Sequence, residues 1–85
     1  MSEAILEQIT ENLIKGQAPA VKELVQKAID DGVGAEEILN KGLVAGMSVI
    51  GDRFKRNEVY IPEVLIAARA MNAGMELVKP LLKQA

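Results

Sequence analysis

Phe54 and Tyr60 are the only aromatic residues of this chain, and they lie close together in the sequence. They belong to the runs Gly51-Asp52-Arg53-Phe54 and Tyr60-Ile61-Pro62-Glu63-Val64. Their ring faces do not ligate a metal or carry a proton near neutral pH. They offer flat hydrocarbon faces that pack, cover or shield. One use is internal, as a plug at the end of a helical core. The other is a contact surface, because Phe54 is embedded in charge from Asp52, Arg53, Lys55 and Arg56. Apolar groups inside a polar rim mark such surfaces.

Other chemistry is scarce. The chain has no His and no Cys. That removes the usual general base, the commonest metal ligand and any thiol nucleophile. Glu36 and Glu37 are adjacent, so they point in different directions around a helix and serve its N-terminal dipole. The hydroxyls of Ser2, Thr10 and Ser48 have no His to activate them. No glycine follows a strand, so phosphate loops and dinucleotide fingerprints are absent. No catalytic residue and no metal ligand is expected in this chain.

The elements that position the two aromatics read as helices. Ser2 is the expected N-cap of a first helix, whose apolar face is Ile5, Leu6, Ile9, Leu13 and Ile14 and which Gly16 ends. Pro19 opens a second, with Val21, Leu24, Val25, Ala28 and Ile29 on one face, closed by Asp31-Gly32-Val33-Gly34. The third begins near Ala35 and presents Leu39, Leu43, Met47, Ile50 and Phe54. Its glycines, Gly42, Gly46 and Gly51, each cost up to about 1 kcal/mol relative to Ala. They imply close approach, by another helix or by a flat ligand. Ile61, before a proline, is expected to be extended. Pro62 opens the fourth helix, with a seam of Val64, Ala68, Met71, Met75, Val78 and Leu82. Pro80 is expected to kink or end it between Met75 and Lys79. The fold class is all-α, a four-helix bundle with short connections, and residues 1–85 form one domain.

Length and charge set the outer limits. The chain has 85 residues, 49% of them hydrophobic, and a formal net charge of −2. A core this small must be made from aliphatic side chains. No basic excess points to nucleic acid. No apolar run approaches the ~20 residues of a membrane span. Without a targeting segment or Cys, the default location is cytoplasmic.

Several spaced runs resemble one family. They are Gly46-Met47-Ser48-Val49-Ile50-Gly51-Asp52-Arg53-Phe54, Tyr60-Ile61-Pro62-Glu63-Val64-Leu65, Ala67-Ala68-Arg69-Ala70-Met71 and Leu77-Val78-Lys79-Pro80. Together they resemble the N-terminal helical cap domain of the cobalamin-binding (corrinoid) methyltransferase proteins. These include cobalamin-dependent methionine synthase and the small methyl-carrier corrinoid proteins.

The resemblance implies a cap that shields and gates the upper face of methylcobalamin during methyl transfer. It places Phe54, Tyr60, Ile61 and Val64 against the cofactor, with Tyr60 standing where well-known members carry Phe. It implies two kinds of partner: a downstream α/β corrinoid-binding domain and methyltransferase subunits. In the family that domain carries Asp-x-His-x-x-Gly, whose His ligates cobalt, and the motif does not occur here. The alternative is a helical protein-interaction module, or a self-associating bundle that forms a homodimer when isolated and has no cofactor.

Overall fold

The computed structural model describes residues 2–82. The helices are α1 (Ser2–Ile14), α2 (Ala18–Asp30), α3 (Ala35–Glu37), a π-helical segment (Ile38–Val44), α4 (Ala45–Lys55) and α5 (Ile61–Leu82). α3, the π segment and α4 run on without a break. The expected four-helix bundle is therefore what forms, with an irregular third helix.

The first two helices follow their apolar periodicity. Leu6, Ile9 and Leu13 are buried from α1, and Val21, Val25 and Ala28 from α2. Ser2, expected as an N-cap, is itself helical. Its hydroxyl instead donates across the bundle to Glu37 Oε2 at 3.5 Å. Gly16 and Gly32 both take left-handed backbone, with φ of 73° and 88°. Each ends its helix with the paired bonds of a Schellman motif. In α1 these run from Gly16 N–H to the Leu13 carbonyl and from Gln17 N–H to the Asn12 carbonyl.

The third helix departs from its expected face. The buried positions are Ile38, Gly42, Leu43, Gly46 and Ile50, whereas Leu39 and Met47 are only partly buried. The row Ile38, Gly42, Gly46 and Ile50 has a strict spacing of four. In a regular α-helix each such step overshoots by about 40°. A π-helix turns roughly 18° less per residue. The π segment takes back the overshoot and keeps the row on one side. Two of its glycines explain themselves by packing. A Cβ on Gly42 would lie 3.1 Å from Ile9 Cγ2, and one on Gly46 would lie 2.8 Å from Leu13 Cδ2. A Cβ on Gly51 would meet nothing within 4 Å.

On α5 the buried seam is Ala67, Ala70, Gly74 and Val78. Val64, Met71, Met75 and Leu82 flank it, partly buried. The smallest residues occupy the centre because Leu43, Val21 and Val25 reach to within 2.9–3.2 Å of a Cβ position at Gly74. Pro80 does not end the helix, which continues to Leu82. The bond that Pro80 removes is the one to the Glu76 carbonyl, and Glu76 is exposed, so water can take the place of the missing N–H.

Candidate functional site

The corner between α4 and α5 carries both aromatics, and its two sides are built differently. α4 ends in a third Schellman motif. Asn57 N–H donates to the Phe54 carbonyl at 3.1 Å and Glu58 N–H to the Arg53 carbonyl at 2.8 Å. Here the left-handed residue is Asn57, at φ 61°, and Asn is among the few residues besides Gly that visit this region readily. Arg56 braces the turn, with Nη2 3.1 Å from Asp52 Oδ2 and Nε 3.6 Å from Glu58 Oε2. All three are exposed, so these pairs contribute little stability.

α5 begins one residue earlier than its proline suggests. Ile61, expected to be extended, lies in the first helical turn. Tyr60 stands at the N-cap position, and its carbonyl accepts from Glu63 N–H at 2.9 Å and Val64 N–H at 3.1 Å. In return Glu63 Oε1 accepts the Tyr60 N–H at 2.8 Å. This is the carboxylate half of a capping box, and it offsets the bias of a pre-proline residue against helix.

This framework leaves a run of large apolar side chains in water. Tyr60 is 71% exposed, Ile61 61%, Leu65 60% and Phe54 45%. Ile61 and Leu65 are one turn apart on α5, and further along the same face Arg69, Asn72 and Glu76 are polar and exposed. The most exposed large apolar side chains are thus gathered at the corner, with Val44 and Leu81 exposed singly elsewhere. Phe54 is not a core plug, although it continues the apolar face expected of its helix.

Val64 differs from the other three expected contact residues. It is half-buried and packs against the core. Its helical position is in phase with Ala67 and Met71, which face inward. The neighbouring Leu65 takes the exposed place, and sequence reasoning did not single it out. Nothing in an isolated apolar residue distinguishes core from contact surface. Only the phase of the buried seam does.

A shallow cleft lies behind the corner, bounded by Ile14, Gly16, Ile50, Arg53, Glu63 and Ile66. Its floor is close contact between α1 and α5, since Ile66 occupies the space a side chain on Gly16 would need. Among the described residues there is no group of three or more Asp or Glu side chains that could hold a metal ion. No described helix is long and apolar enough to cross a membrane.

Residues 5–79 match a family described as "B12 binding domain". Among characterised relatives, monomethylamine corrinoid protein 2 of Methanosarcina acetivorans is 34% identical over 94% of this chain and 37% of its own length. Trimethylamine corrinoid protein 1 of the same organism is 41% identical over 68% of this chain and 27% of its own length. The solved structure of the Methanosarcina barkeri monomethylamine corrinoid protein superposes with a TM-score of 0.93. It is 28% identical and covers 99% of this chain and 40% of that one. The chain therefore spans about two-fifths or less of the length of these relatives. On the match across nearly its whole length, the chain belongs to the B12 binding domain family.

Proposed function

We propose that this chain is the non-catalytic cap of a corrinoid methyl-carrier protein, lying over the upper face of the cofactor. The observation that carries the reading is the exposed corner of Phe54, Tyr60, Ile61 and Leu65 in a chain of this family. Its residue types fit the group they would cover. Phe54, Ile61 and Leu65 carry no ligand atom, Tyr60 would present its ring face, and no imidazole, thiolate or carboxylate stands among the four to compete with a methyl group on cobalt. The corrinoid would supply a cobalt centre that accepts and donates that methyl group.

The chain's own residues would exclude water and oxidants from that face. Phe54 and Tyr60 present ring faces from two helix ends, and Ile61 and Leu65 extend the cover along α5. Val64 would support them from the core side. The capping bond from Tyr60 to Glu63 and the Asn57 turn fix the two helix ends, so the cover is held on a rigid frame. A cap must also open to let a methyl donor or acceptor reach the same face. A small apolar patch suits a contact that is made and broken.

The partners on this reading are an α/β corrinoid-binding domain that supplies the cobalt ligand, and the methyltransferase subunits that exchange the methyl group. The cytoplasm is the proposed location. Family membership favours this over a cofactor-free interaction module, although the same exposed patch would let the isolated chain pair with a second copy.

The test grafts this chain in place of the corresponding segment of a monomethylamine corrinoid protein. Re-oxidation of the reduced cofactor is then followed by its absorbance. Phe54→Ala should speed re-oxidation several-fold, with the affinity for corrinoid little changed. Equal rates for Phe54→Ala and the parent graft would remove the shielding role.

A further inference from the structure

The π-helical segment lies in the very helix that carries Phe54. We propose that Thr10 is a positioning residue: it holds residues 38–44 in their π form and thereby fixes the direction in which Phe54 points. The value of that direction rests on the cap reading above, whereas the control of helix phase does not.

Thr10 is half-buried on α1, between the core residues Ile9 and Leu13. Its hydroxyl donates to two successive carbonyls of the π segment, Gly42 at 2.8 Å and Lys41 at 3.2 Å. One proton shared by two acceptors is a three-centre bond. It reaches the backbone because Gly42 has no side chain and Ile9 Cγ2 comes within 3.1 Å of where a Cβ would stand. A helical Thr often spends its hydroxyl on a carbonyl of its own preceding turn. Here the hydroxyl goes to another element, and that element is the irregular one.

The consequence for Phe54 is geometric. Seven residues in the π form turn roughly 120° less than seven in the α form. An uninterrupted α-helix would therefore carry Phe54 about 120° further round, relative to Ile38, away from the side that α1 faces. With the π segment in place, Phe54 follows Ile50 at the edge of the buried row. Thr10 thus acts on Phe54 through the helix between them, with no contact to the corner.

The experiment measures scalar couplings across backbone hydrogen bonds by NMR in the 85-residue chain, with Phe54 ring contacts as a second readout. Thr10→Val keeps the branched shape and removes the donor. The expected result is loss of the i→i+5 couplings across residues 38–44, their replacement by i→i+4 couplings, and changed Phe54 ring contacts. Thr10→Ser should restore the parent pattern. Unchanged i→i+5 couplings in Thr10→Val would overturn the proposal.

Should Thr10→Val fail to fold, removal of Asn40, exposed within the segment, gives a second route. Six α-helical residues turn within about 30° of seven π-helical ones, so this variant should keep the Phe54 contacts without needing the hydroxyl. Adding Thr10→Val to it should then leave those contacts in place, and their loss would overturn the proposal. Re-oxidation in the graft separates the two ideas. Couplings that switch while corrinoid protection stays unchanged would refute the shielding role of Phe54 and leave the phase-setting role of Thr10 intact.

Discussion

The interior seam and the α4–α5 corner use similar residues for opposite ends. In the seam, every gap left by a glycine is filled from across the bundle. Ile9 faces Gly42, Leu13 faces Gly46, and Leu43, Val21 and Val25 converge on Gly74. At the corner the relation is inverted. Gly51 faces nothing within 4 Å, and the large side chains Tyr60, Ile61 and Leu65 stand mostly in water. Composition separates them only in part: both aromatics lie at the corner, but the aliphatic residues and glycines of the two regions are of the same types. What separates them is whether a second element lies within reach. A surface built like a core but lacking its partner is a surface that expects one.

Cavity formation gives the largest test of this contrast. Leu43 is fully buried and Leu65 is 60% exposed. Leu43→Ala should cost about 2–5 kcal/mol, because lost burial and an unfilled cavity add. Leu65→Ala should change stability by under about 0.5 kcal/mol, as surface substitutions do. Urea denaturation of both variants measures the gap. Sedimentation velocity on the same samples adds a second readout, since Leu65→Ala should weaken any self-association and Leu43→Ala should not do so selectively. Equal destabilisation by the two would mean that the corner is as tightly packed as the seam.

Overpacking comes next. Gly74→Val would force a side chain against Leu43 Cδ2, Val21 Cγ1 and Val25 Cγ2, which lie 2.9, 3.2 and 3.2 Å from its Cβ position. The expected cost is about 1–3 kcal/mol. Thermal unfolding should register it as a drop of at least several degrees. A neutral result would show that α2 and α5 can separate without loss, contrary to a seam built around a bare backbone.

How far each region was legible follows from the same physics. The faces of α1 and α2 could be read because Leu6, Ile9 and Leu13, and Val21, Val25 and Ala28, obey an undisturbed helical period. The stops at Gly16 and Gly32 could be read because left-handed backbone favours glycine. The third helix could not be read correctly, since an assumed α period selects Leu39 and Met47 over Ile38 and Gly46. The clue was the strict spacing of four, which a regular helix cannot keep on one face. Ile61 was misplaced because local proline stereochemistry was weighed without the Glu63 carboxylate that overrides it. At the corner, Phe54 and Tyr60 were legible from their rarity. Leu65 was not, because its exposure depends on the phase of a seam one position away from the expected one.

The smallest effect bears on the question the three glycines of the third helix raise. Gly42 and Gly46 are accounted for by α1, so packing is their explanation. Gly51 is exposed in a regular stretch of α4 and has no neighbour to accommodate. In an isolated helix interior such a residue is a liability of up to about 1 kcal/mol relative to Ala. Gly51→Ala should therefore stabilise the chain by up to that amount and raise its melting temperature by a few degrees. Scanning calorimetry would detect the change. If the bare backbone at Gly51 serves the approach of a covering partner, the same variant grafted into a corrinoid protein should protect the reduced cofactor less well. A gain in stability accompanied by a loss of protection would place Gly51 with the corner rather than the seam. A gain with protection unchanged would leave its missing side chain without a role in the contact.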